Sequence, residues 1–148
     1  MRAVVQRVKN ATVTVAGEIV GTIDTGLLIY LAVGQQDTDE TLKWMVRKVS
    51  QLRVFEDAHG KMNHSLLDDP VLGALVISQF TLYGDIRKGS RPSFNDAADS
   101  GKADSDYQQF IKTLSVALQR PVASGRFAAD MQVASINDGP VTILLSRD

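Results

Sequence analysis

The chain has no cysteine. That excludes disulfides, thiolate nucleophiles and thiolate-bound metal, and it suits a reducing compartment. Long hydrophobic runs are also missing: the longest, Leu27 to Val33, is far too short to span a membrane. The opening residues, Met1-Arg2-Ala3-Val4-Val5-Gln6-Arg7, carry neither an extended apolar core nor a small-residue cleavage site. No signal peptide is therefore expected, and the expected location is cytoplasmic. Neither charge sign dominates. Sixteen Lys and Arg stand against seventeen Asp and Glu, a net charge of −1. Proteins that grip many phosphates are usually basic, because Lys and Arg displace condensed counterions. The balance gives no support to an RNA substrate; separately, no DNA partner is expected. A polyanion held only at its tip remains compatible with it. Histidine is scarce: His59 and His64 are five apart around a Gly-Lys-Met-Asn turn and read as exposed loop residues. No metal site is expected from that spacing.

What remains is the composition of one globular domain over residues 1–148, with 44% hydrophobic and 22% charged residues. Ala11, Val13 and Val15 alternate with Thr12 and Thr14, the period of a half-buried strand. Ala16-Gly17-Glu18 predicts a turn into a second strand. Leu27 to Val33 is continuous and apolar, which suits a central strand buried on both faces. The period then changes. Asp37 and Thr38 offer an N-cap, with Glu40 placed to close a capping box with Asp37. Leu42, Met45, Val46 and Val49 form a helical stripe. A short strand is expected near Arg53-Val54-Phe55, a turn over Asp57 to Lys61, and a buried strand from Ala74 to Ile77. Gly84 to Lys102 reads as a long irregular loop. A second helix follows, with Tyr107, Phe110, Ile111, Leu114 and Leu118 on one face and Pro121 as its stop. The chain closes on a strand from Val141 to Leu145. Strands outnumber helices, and no repeat or linker divides the chain, so the fold class is α/β.

Two motifs stand out from this plain background. Ser78-Gln79-Phe80-Thr81-Leu82 places small polar side chains at the end of a core strand, which gains nothing from them unless something uses them. Asn137-Asp138-Gly139-Pro140-Val141-Thr142 combines a residue that permits close backbone approach with one that fixes φ and favours cis bonds. Asp-Gly alone reads as a hairpin turn. The following Pro fits that poorly, and a segment projecting from a sheet end fits better. Thr81 is the candidate nucleophile, but a threonine hydroxyl needs a base beside it, and a β-branched residue packed in a strand is the plainer reading. Arg87, Lys88 and Arg91 form the local basic cluster. Arg91-Pro92-Ser93-Phe94 suits phosphate contact or base stacking, and equally a loop anchor with Phe94 inward.

Together these motifs resemble the D-aminoacyl-tRNA deacylases. The likeness extends through Gln6-Arg7-Val8, Gly60-Lys61-Met62-Asn63, Lys88-Gly89-Ser90-Arg91-Pro92-Ser93-Phe94 and Gly125-Arg126-Phe127-Ala128-Ala129-Asp130-Met131, in order and nearly end to end. The resemblance implies a compact domain with a barrel-like mixed sheet and two main helices, working as a homodimer without a cofactor. It implies a site at the dimer interface. Ser78, Gln79, Phe80 and Thr81 come from one subunit, and Gly139 and Pro140, joined by a cis bond, come from the other. Phe127 and Met131 then flank the substrate's terminal adenosine, and Arg87, Lys88 and Arg91 are the expected tRNA contacts. The implied reaction is hydrolysis of the D-aminoacyl ester, assisted by the ribose 2′-hydroxyl, with glycyl-tRNA as a partial substrate. Two rivals stay open: hydrolysis of small esters through Thr81, and a dimeric tRNA-end binder without turnover.

Overall fold

The longest early strand organises the molecule. In the computed structural model, which describes residues 1–147, β1 (Arg2–Val15) pairs along one edge with two strands in succession. Its first half lies antiparallel to β3 (Gly26–Ala32) and its second half to β2 (Glu18–Ile23). Its other edge pairs along its length with β8 (Met131–Ser146). The Ala16–Gly17 turn between β1 and β2 has both residues at positive φ, 49° and 82°, the twist that a two-residue hairpin demands.

β3 is the central strand. Beyond it lies β6 (Gly73–Ser78) in parallel, and beyond that the two-residue β7 (Ala123–Ser124). A short hairpin of β4 (Phe55–Glu56) and β5 (Met62–His64) stands apart. β2 curls back towards β7: a Cβ on Gly21 would lie 2.5 Å from the Ser124 carbonyl oxygen. The sheet is therefore nearly closed and barrel-like.

Alternation along β3 and β6 splits the core in two. Leu27, Ile29, Leu31, Ala74 and Val76 face the helices, whereas Leu28, Leu75 and Ile77 face the barrel interior with Val8, Ala11 and Val13. Helix α1 (Asp39–Ser50) buries the expected stripe of Leu42, Met45, Val46 and Val49. Its cap differs from the expected box. Thr38 is the N-cap and accepts from the Thr41 N–H, while the Asp37 carboxylate is held by the Met1 ammonium and the Gly34 N–H. A carboxylate gains more from a buried cation than from one amide.

Helix α2 (Ser100–Leu118) begins inside the stretch expected to be loop. Asp99 caps it, accepting from the N–H groups of Gly101 and Lys102. It ends at Gln119 in the left-handed region, ahead of Pro121. Among the described residues no helix is long and apolar enough to cross a membrane.

Candidate active site

The first motif sits where β6 leaves the sheet. Ser78 is the last residue paired with β3, opposite Leu31, and the Gln79 N–H donates to the Leu31 carbonyl at 2.8 Å. The chain then tightens into a 3-10 turn over Phe80–Tyr83. Its first internal bond is Leu82 N–H to Gln79 C=O, so the Phe80 and Thr81 N–H groups precede it. The Gln79 side-chain amide donates to Thr81 Oγ1 at 2.6 Å. Neither histidine lies here: His64 faces another cavity, with Nδ1 3.9 Å from Asp68. The threonine's partner is thus an amide rather than a base. Phe80 keeps 56% of its surface exposed and meets Phe94 edge-on at 5.1 Å between centroids. Phe94 serves as the loop's anchor, though against Phe80 and only half-buried.

Ser78, Gln79 and Phe80 line a cavity of about 500 Å³, within the size range of small-molecule sites. Phe127 and Met131 line it too. The Gly125 N–H donates to the Val76 carbonyl, and Ala128 adopts a left-handed φ of 59°. Phe127, between them, packs on Tyr107 at 5.9 Å. Thr81 is exposed and reaches this cavity through Gln79 rather than lining it.

The first turns of α2 supply a wall that the motifs did not reveal, built from Ser100, Ala103 and Tyr107. Tyr107 is buried, and its hydroxyl donates to the Val76 carbonyl at 2.9 Å. Burial pushes its pKa up to about 12. Small residues such as Ala103 create space while carrying no chemical signal in sequence.

The second motif is elsewhere. Against expectation it leaves the middle of β8, not a sheet end. Asn137 pairs with Val8 and Thr142 with Gln6, so four residues of β8 face only Arg7 of β1. This excursion carries the cis Gly139–Pro140 bond, with Gly139 at φ 125° and both residues exposed. The ladder survives because the extra residues bulge outward.

Arg7, only 7% exposed, holds the excursion from beneath. It donates from Nη1 to the Val54 carbonyl at 2.6 Å and from Nε to the Asp138 carbonyl at 3.1 Å. Gly139 borders a second cavity of about 610 Å³, with Arg7, Lys9, Glu56 and His64. The two cavities share no lining residue. Three strand spacings and four residues of rise put Ser78 and Gly139 roughly 20 Å apart along the sheet.

In the basic loop, Arg87 grips Asp85 through Nε and Nη2 and is 84% exposed. Those hydrogen bonds hold the Asp85 carboxyl down at about 2 and neutralise Arg87 locally. Lys88 and Arg91 stand exposed beside it. Among the described residues no group of three His, Asp or Glu is placed to hold a metal.

The chain as a whole is similar to known proteins. The model of the D-Tyr-tRNA(Tyr) deacylase family matches residues 4–146. The chain belongs to this family. It is 52% identical over 146 residues to the D-aminoacyl-tRNA deacylase of Chloroherpeton thalassium, covering 98% of this chain and 95% of that protein. It is 54% identical over 147 residues to the one of Myxococcus xanthus, covering 98% and 94%. Among solved structures, a c-Myc DNA unwinding element binding protein superposes with a TM-score of 0.94 at 41% identity, covering 100% of this chain and 99% of its own. A protein described as a probable eukaryotic D-amino acid tRNA deacylase gives 0.84 at 19% identity, covering 97% of each chain, a likeness of fold. The matched range takes in both motifs of this chain.

Proposed function

We propose that this protein hydrolyses the ester between a D-amino acid and the 3′-terminal adenosine of tRNA, as a cytoplasmic homodimer. The observation that carries the reading is the separation of the motifs. An open cavity bordered by Ser78, Gln79 and Phe80 lies far from an exposed Gly139–Pro140 on the same chain. A two-fold dimer brings each protrusion to the partner's cavity in one self-complementary contact.

In that assembly the adenosine packs against Phe127 and Met131, and the aminoacyl carbonyl faces the Phe80 and Thr81 N–H groups, which stabilise the developing oxyanion. Water adds to the carbonyl, held by the ribose 2′-hydroxyl, and its proton ends on the departing 3′-oxygen. No side-chain nucleophile is required. This agrees with an amide, not a base, at Thr81.

Selectivity comes from rejection, which discriminates better than attraction between mirror-image groups. The Gly139–Pro140 backbone is the wall that an L side chain strikes and a D side chain avoids. Glycine has nothing to strike, so glycyl-tRNA is a partial substrate and L-alanyl-tRNA is not. Lys88 and Arg91, with Arg87 already engaged by Asp85, contact the tRNA backbone.

The test is hydrolysis of D-tyrosyl-tRNA and L-tyrosyl-tRNA side by side, with EDTA present. Loss of the D-ester alone supports the reading. Survival of both turns it towards a binder, and cleavage of free D-amino-acid esters without RNA turns it towards a small-ester hydrolase.

A further inference from the structure

We infer that Asn137 is a positioning residue for the Gly139–Pro140 wall, acting as a side-chain clasp across the base of the excursion; this rests on the deacylase reading above. Where β8 leaves β1, the ladder is interrupted between Asn137 and Thr142. The N–H of Val141 is instead taken by Asn137 Oδ1 at 3.1 Å. The other end of the same amide, Nδ2, donates to Thr142 Oγ1 at 3.0 Å. Gln6 Nε2, from the neighbouring β1, donates to that same hydroxyl oxygen at 3.2 Å. One amide thus joins the residue that enters the excursion to both residues that leave it, and Thr142 ties the closure to β1.

The geometry explains why the wall has a fixed seat. Gly139 and Pro140 are exposed and lie over Arg7, whereas Val141 is 7% exposed and belongs to the main core. The clasp therefore transfers the rigidity of the core to the adjoining exposed turn. The residue type is specified as well. The position needs an acceptor for an N–H and a partner for a hydroxyl on one short planar group. Leucine has the shape and neither function. Aspartate keeps the acceptor, and its second oxygen accepts from the Thr142 hydroxyl, which reverses its role while Gln6 still donates to it.

That reversal supplies the test. D-tyrosyl- and L-tyrosyl-tRNA hydrolysis, thermal stability and the hydrogen exchange of the Val141 amide are measured for wild type, Asn137→Leu, Asn137→Asp, Thr142→Val and the Asn137→Asp, Thr142→Val double variant. Asn137→Leu is expected to speed Val141 exchange by about tenfold or more and to raise the ratio of L- to D-hydrolysis by a similar factor. Asn137→Asp alone is expected to hold both within about threefold of wild type. The double variant, whose carboxylate has lost its hydroxyl donor, is expected to lose selectivity by more than the two single effects combined. An unchanged L-to-D ratio in folded Asn137→Leu, beside a D-selective wild type, overturns this inference alone. Should Asn137→Leu fold poorly, additivity in the double variant, whose substitutions keep size and shape, overturns it equally. A wild type that leaves the D-ester intact overturns the deacylase reading, and this role with it.

Discussion

Gly139→Ala places the first Cβ on the proposed wall. The backbone there has φ 125°, a region costing a non-glycine residue about 1–3 kcal/mol. The added carbon would lie 2.9 Å from Arg7 Nη2 and 3.0 Å from Val141 Cγ2, both closer than ordinary contact. Val141 is buried in the core and cannot retreat. Arg7 is equally enclosed, and moving it strains its bonds to the Val54 and Asp138 carbonyls, each worth roughly 1.5–3 kcal/mol for a charged donor. The exposed Gly139–Pro140 backbone has the freer side, so the conflict is relieved mainly by its displacement. Stability should fall by no more than the conformational term, a Tm decrease of about 3–10 °C for a chain of this size. Selectivity should suffer more: the L-to-D hydrolysis ratio should rise at least tenfold, equivalent to about 1.4 kcal/mol. The assay is single-turnover deacylation of both tyrosyl-tRNA diastereomers, with Tm measured on the same preparations. A folded variant with an unchanged ratio would refute the reasoning, because the wall would then tolerate a new atom without effect.

Three more predictions concern other parts of the molecule. Thr81→Ala should lower the D-deacylation rate about tenfold or less, the value of one neutral hydrogen bond, while a 2′-deoxy terminal ribose should be far more damaging; abolition by Thr81→Ala in a folded protein would make its hydroxyl the nucleophile. Lys88→Ala and Arg91→Ala should each reduce the salt slope of tRNA binding by about 0.7–0.9, and Arg87→Ala by less because Asp85 already engages it; equal slopes for all three would contradict this. Tyr107 favours its neutral form in the fold, so its contribution to stability is present below about pH 10 and is lost as pH rises through about 12. Phenolate absorbance should show a late ionisation step that Tyr107→Phe removes; ionisation of Tyr107 near pH 10 would count against its burial.

The parts of the fold with a strong period were legible in the sequence. Leu27 to Val33 became the central strand because no polar residue interrupts it, and the α1 stripe fell where its spacing placed it. The start of α2 was hidden because Asp99 and Ser100 close a run of polar residues that looks like loop from end to end; only the bonds from Gly101 and Lys102 mark the cap. The Gly139–Pro140 turn looked like a strand end because its composition is that of one. Its position within β8 depends on pairing with β1 on both sides, which is a long-range fact. At the candidate site, Ser78 and Gln79 announced themselves by polarity out of place, Phe80 came with them as part of the same motif, and Phe127 and Met131 entered through family likeness. Ala103 and Tyr107 did not, since a small residue and a buried aromatic on a helix face are what any core contains. Arg7 entered only as one letter of the Gln6-Arg7-Val8 likeness, and the fold alone reveals what lies above it.

The disjoint cavities also have a genetic meaning. If the wall and the cavity of each site come from different copies, a lesion at Gly139–Pro140 and a lesion at Ser78–Thr81 belong to separate complementation classes. Coexpressed defective alleles would assemble mixed pairs in which one site inherits both intact motifs and its twin inherits both defects. Random pairing would restore about a quarter of the sites. Two alleles harmful alone would then rescue each other in one cell, whereas two lesions on a single allele would not.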